Sequence, residues 1–206
     1  MNKVLFISYV TKETVYELIS TEYLLPSLKK WGLNYHIEGI DNEHSWQLNT
    51  AQKPKVLLDV MTKYKDVYDT FIYLDADSRI QQYPELFFSL DKSIDIGYHK
   101  LDWSTWYGHK DSQVKELLTG TMVLRYNDKV VNLLQEWYHE SMVTKIWEQK
   151  CLEYILNKKE LLFNIVELPL EYCFITSRPG GLPPLVACNP VIEHYQASRL
   201  YKKEIK

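Results

Sequence analysis

The sequence predicts an α/β domain on a mostly parallel central sheet, and three observations carry that prediction. Contiguous apolar runs at 4–7 and 70–74 have the character of strands buried on both faces. Between them, apolar residues recur at helical spacing. The resulting order of strand, helix, strand, helix, strand is what right-handed parallel crossovers require. At 206 residues and 46% hydrophobic content, the chain has material for one well-packed domain spanning residues 1–206.

The first strand is read at 3–9, where Val4, Leu5, Phe6 and Ile7 are contiguous. A helix over 13–30 follows from Val15, Leu18, Ile19, Tyr23 and Leu24, and Gly32 stops it. Residues 34–40 form a second strand. Asn49 or Thr50 caps a helix near 51–64, with Pro54 tolerable in its first turn. Residues 70–74 are the third strand. Further strands are read at 94–98, 120–125, 161–168 and 189–194, with helices near 128–141 and 147–158. The aromatic, polar stretch from Asp102 to His109 reads as a loop, and Arg178–Pro184 is rich in chain breakers. No linker, repeat or low-complexity tract divides the chain.

A formal charge of −3 argues against a general nucleic-acid coat, leaving the tail residues Arg199, Lys202, Lys203 and Lys206 as a local basic patch. Cys151, Cys173 and Cys188 are odd in number and form no C-x-x-C pair, which argues against a disulfide framework or structural zinc and fits a reducing compartment. The apolar run at the N-terminus is too short for a signal peptide, and no run is long enough to span a bilayer. A soluble, cytoplasmic protein is expected. The 16 tyrosines and 6 tryptophans serve a core or a sugar-stacking surface.

The chemistry centres on Asp75-Ala-Asp77, directly after the strand 70–74. Carboxylates two residues apart at a strand end face one side and can approach one cation. Hard oxygen ligands suit magnesium or manganese, and ligands of open α/β sheets gather at the carboxyl ends of the strands. Taken alone, the pair reads equally as two solvated acids at a strand exit.

The segment Phe71-Ile-Tyr-Leu-Asp-Ala-Asp-Ser-Arg-Ile80 resembles the Asp-x-Asp strand of nucleotide-diphospho-sugar glycosyltransferases with the GT-A fold, nearest to retaining families. Three later segments resemble that pattern in order: Leu118–Arg125, the strand lining the donor sugar; Ile146–Leu152, an acid-Gln helix start; and Pro190–Ser198, a late strand carrying a histidine.

The resemblance implies a Rossmann-like sheet flanked by helices and a manganese or magnesium ion held by Asp75, Asp77 and His194. It implies a nucleotide-diphosphate sugar, UDP-linked, as donor. Tyr9, Val10 and Thr11 follow the first strand, where such enzymes hold the base; Tyr9 stacks on uracil or packs in the core. Ala76, Gly120 and Thr121 lie beside the donor, and Gly120 lets backbone and ligand come close. Glu148 and Gln149 contact the donor sugar or the acceptor, or simply favour a helix N-terminus. Lys53 and Lys55 reach the nucleotide or sit on a solvated helix end. Ser198, Arg199 and Lys202 neutralise the departing diphosphate or belong to a basic tail. Together with Asp75 and Asp77, Glu148 and Gln149 make the catalytic set.

The implied reaction is glycosyl transfer to an acceptor hydroxyl on a carbohydrate, a glycoconjugate or modified nucleic acid. Two rivals keep part of this picture. A nucleotidyltransferase acting on a sugar phosphate would carry a Gly-rich basic loop after strand one, where this chain has Ser8–Glu13 without glycine. A non-enzymatic nucleotide-sugar module would use the aromatic stretch 102–109 as its platform. A phosphatase-type hydrolase expects Gly- and Thr-rich residues after its Asp-x-Asp, unlike Ser78-Arg79-Ile80.

Overall fold

The computed structural model describes residues 2–201. The chain opens with β1 (Val4–Thr11), α1 (Val15–Ile19), α2 (Leu25–Lys30) and β2 (Tyr35–Ile40), then α3 (Trp46–Ala51), α4 (Lys53–Tyr64) and β3 (Thr70–Leu74). It continues through β4 (Ser78–Ile80), α5 (Glu85–Ser89), β5 (Ile96–Asp102), α6 (Trp103–Trp106) and β6 (Lys115–Leu124). The last third holds α7 (Asp128–Thr144), α8 (Glu148–Lys159), β7 (Ile165–Glu167), β8 (Phe174–Ile175), β9 (Ile192–His194) and α9 (Ser198–Tyr201).

Six strands form the main sheet in the order β2-β1-β3-β6-β5-β7, in which β1 pairs parallel to β2 and β3, and β5 parallel to β7. Strand β6 runs antiparallel to both its neighbours, so the sheet is mixed but mostly parallel, as expected. Along β1, successive side chains enter opposite cores. Leu5 and Ile7 join α4, α7 and α8 residues such as Leu57, Leu134 and Leu152, while Val4 and Phe6 join Leu24, Leu28 and Phe87. All eight residues of β1 and all five of β3 are buried, which is why these two strands stood out as unbroken apolar runs.

A second, three-stranded sheet in the order β4-β9-β8 sits beyond the end of β3. It sets Ser78 opposite His194. Strands of two or three residues carry too little periodicity to be read from sequence, and β4 and β8 were not among the expected elements.

Several boundaries differ from expectation. The helix expected over 13–30 is α1 and α2 joined by a π-helical turn, Ser20–Leu24. The helix expected near 51–64 is two helices. Ser45 caps α3 by accepting from Leu48 N–H, and α4 starts afresh at Lys53 with Pro54 in its first turn. The stretch 102–109 contains the short helix α6, capped by Asp102, whose carboxylate accepts from Ser104 N–H. Strand β6 begins at Lys115, five residues before the expected start, because pairing with β5 outweighs the weak strand character of 115–119. Among the described residues, no helix is long and apolar enough to cross a membrane.

Candidate active site

The crossover helices place their N-termini at the carboxyl ends of the strands, so polar residues at helix starts converge there. Asp75 and Asp77 leave β3 at that edge. Asp75 N–H donates to the carbonyl of Gly120, and Asp77 Oδ2 accepts from Ala197 N–H at 2.6 Å. The turn that delivers Ala197 has Gln196 in the left-handed region, at φ 55°. Strand β9 then holds His194 beside the pair, and ligand atoms of Asp75, Asp77 and His194 lie within 4.8 Å of one another.

Burial shapes the charge of this group. It pushes the Asp77 carboxyl up to about 6, helped by the neighbouring Asp75, and it pulls His194 down to about 4. His194 is thus a neutral imidazole near pH 7, as a metal ligand must be. Its Nε2 lies 2.8 Å from the Thr121 hydroxyl.

Gly120 sits where β6 departs from regular pairing. The register with β5 jumps from Tyr98↔Met122 to His99↔Leu118, leaving Thr119–Thr121 out of the ladder. A Cβ on Gly120 would stand 3.0 Å from His194 Cε1, 3.1 Å from its Nδ1 and 3.2 Å from Asp75 Oδ2. Glycine is therefore needed here to admit protein side chains, in addition to any ligand.

Lys53 departs from the solvated helix end offered by the sequence. At the start of α4 its side chain points back over the sheet edge, where it is buried. Its Nζ lies 2.8 Å from Glu148 Oε1, 3.1 Å from Asp75 Oδ1 and 3.0 Å from Thr119 Oγ1. Burial opposes its charge, yet Asp75 and Glu148 outweigh it and raise the pKa above that of a free lysine. Lys55, two residues on, is exposed to solvent and pairs with Asp59.

Glu148 and Gln149, at the start of α8, are both buried in the same place. Gln149 Oε1 accepts from Thr119 N–H and its Nε2 donates to Glu116. Glu148 Oε2 is buried with no hydrogen-bond partner among the described residues.

These residues line one solvent-open cavity at the carboxyl edge of the sheet. Tyr9, Thr11, Ala76, Gly120 and Ser198 also reach it. The Tyr9 hydroxyl donates to the carbonyl of Asn49, and its ring is buried, so it serves core and wall together. Val10 is buried, and Thr121 supports His194 from behind; neither lines the cavity. Arg199 is turned elsewhere, its guanidinium donating to the Ser177 carbonyl. Lys202, with Lys203 and Lys206, lies outside the described residues. Tyr16, Trp46, Thr119 and Trp147 line the cavity as well and were not singled out from sequence. Only the acid-Gln helix start following a Trp pointed toward Trp147.

The donor set fits a divalent cation. Asp75, Asp77 and Glu148 bring three carboxylates against the Lys53 ammonium, leaving an excess of two negative charges when all are ionised. Two carboxylates with one neutral imidazole suit manganese, and oxygen donors suit magnesium.

No protein-family profile and no curated protein sequence matches this chain. Solved structures do. One is a glycosyltransferase involved in the glycosylation of the major capsid of PBCV-1, similar at a TM-score of 0.65 and 16% identity over 98% of this chain and 97% of that one. Another is the apo structure of the bifunctional glycosyltransferase WbbM, at a TM-score of 0.55 and 14% identity over 95% of this chain. This chain shares their fold. It spans 46% of WbbM, about half of that protein's length. Identities this low establish the fold and leave function to the site itself.

Proposed function

We propose that the chain is a single-domain, metal-dependent glycosyltransferase over residues 1–206, taking a sugar from a UDP-linked donor to an acceptor hydroxyl with retention. One observation carries the reading: Asp75, Asp77 and His194 converge at one wall of a cavity that also presents Lys53, Glu148 and Gln149. The shared fold supports it.

In this reading Asp75, Asp77 and His194 hold manganese or magnesium, which supplies a positive charge to the diphosphate as it departs. Lys53 fixes the Asp75 carboxylate from the side away from solvent and adds a second positive charge to the cavity wall. Gly120 keeps the space between His194 and Asp75 clear. Glu148 and Gln149 line the cavity beside the transferred sugar, and the buried Glu148 carboxylate sets its negative charge near developing positive charge at the anomeric carbon. The bond from that carbon to the diphosphate breaks, the bond to the acceptor oxygen forms on the same face, and the acceptor's proton passes to the diphosphate. No side-chain base is required on the opposite face. Ser198 lies at the cavity edge for the phosphates. The acceptor is a carbohydrate, a glycoconjugate or modified nucleic acid.

The test is thermal melting with UDP. Manganese and UDP together are expected to raise the melting temperature well above the effect of UDP with EDTA, because cation and diphosphate bind as a unit. Equal shifts with and without the metal would remove the cation from the reading.

A further inference from the structure

We propose that Trp46 and Trp147 form the acceptor subsite and receive a pyranose ring against its C–H face, an assignment that rests on the glycosyltransferase reading. Trp46 is the first residue of α3 and Trp147 directly precedes α8, so two separate helix starts bring these indoles to one cavity. Neither ring is consumed by the core: Trp46 is half-buried, and Trp147 keeps 38% of its surface exposed. Lys145, left-handed at φ 53°, makes the turn that carries Trp147 out to this position, and its neighbour Ile146 is 54% exposed.

The two rings lie against each other. Their centroids are 6.4 Å apart and their planes meet at 48°, a separation at which aromatic rings touch. They form one bent aromatic surface on the cavity wall. A pyranose laid on it presents its weakly positive C–H hydrogens to the electron-rich indole face. Position agrees with this. Trp147 adjoins Glu148, whose Oε1 reaches Lys53, and both line the cavity, so a ring on this surface lies next to the groups assigned to the transferred sugar. The base has its own wall at the end of β1, at Tyr9 and Thr11.

The test is saturation-transfer NMR of the methyl α- and β-glycosides of glucose, galactose and mannose on the full chain with manganese and UDP. At least one glycoside is expected to be saturated most strongly on the hydrogens of one ring face. Trp147→Ala should weaken its binding roughly tenfold, the loss of about one aromatic stack, and Trp147→Phe should recover most of it. Trp46→Ala should act in the same direction, with folding of each variant checked by circular dichroism. Saturation unchanged in Trp147→Ala, or absent for every glycoside on the wild type, overturns the assignment. So does loss of the UDP melting shift in Trp147→Ala with glycoside binding intact, since that makes the aromatic surface a nucleotide wall. The UDP shift of the wild type, read in the same samples, reports separately on the glycosyltransferase reading.

Discussion

The imidazole of His194 is held by the Thr121 hydroxyl 2.8 Å from its Nε2, and that contact selects the nitrogen left for a cation. A neutral imidazole whose Nε2–H donates to Thr121 keeps its Nδ1 lone pair on the side of Gly120 and Asp75. Thr121 is thus a positioning residue for the proposed metal site.

Thr121→Val keeps the shape of the side chain and removes this partner. Manganese affinity is expected to fall by roughly 10- to 100-fold, the usual effect of losing a group that orients a ligating histidine. Electron paramagnetic resonance of free manganese during titration measures it. Affinity equal to the wild type would show that His194 needs no orientation, or is no ligand.

Gly120→Ala puts a Cβ into space already occupied by His194 and Asp75, at 3.0–3.2 Å. Both groups must move. The variant should lose about 1–3 kcal/mol in chemical denaturation, as overpacked interiors do, and should lose the manganese dependence of the UDP melting shift. A variant that melts lower but binds manganese normally would separate packing from the proposed ligand geometry.

Lys53→Met leaves Glu148 and Asp75 without their shared cation. The Lys53 and Glu148 side chains are only 4% and 2% exposed, so breaking the pair should cost about 3–5 kcal/mol in urea unfolding. Adding Glu148→Gln should return part of the loss, because the stranded charge is removed with it. If the double variant is no more stable than Lys53→Met, the buried charge is not the cause.

Asp77 gives a pH signature in EDTA. Its folded pKa of about 6 lies above the ordinary value of 3.8, so the folded state holds the proton more tightly than the unfolded chain. Stability from this group is present at low pH and is lost as pH rises through about 6. Asp77→Asn should therefore melt higher than wild type at pH 7.5, and the advantage should shrink by pH 4.5. The opposing contribution of His194, whose depressed pKa of about 4 removes stability as pH falls below its ordinary value, is common to both proteins and largely cancels. A constant difference across that range would mean that Asp77 is not strained by burial.

What the sequence alone determined lies where local pattern and burial coincide. Strands β1 and β3 are buried on both faces, so their apolar runs announced them, and Asp75 and Asp77 were located by the strand end they follow. His194 was legible through its resemblance to a known pattern, and the structure sets it beside both aspartates. Tertiary structure decided the rest, because the contacts concerned join distant parts of the chain. Lys53 and Thr119, 66 residues apart, meet only when α4 and β6 share a sheet edge, and that meeting turns a lysine at a helix start into a buried ion-pair partner. The aromatic surface of Trp46 and Trp147 exists only because α3 and α8 begin side by side. The direction of Arg199 was set by the Ser177 carbonyl, a partner that nothing in its own neighbourhood of sequence foretells. Local periodicity encodes which face of an element is buried; which side chains confront each other across the cavity is set by how the elements pack.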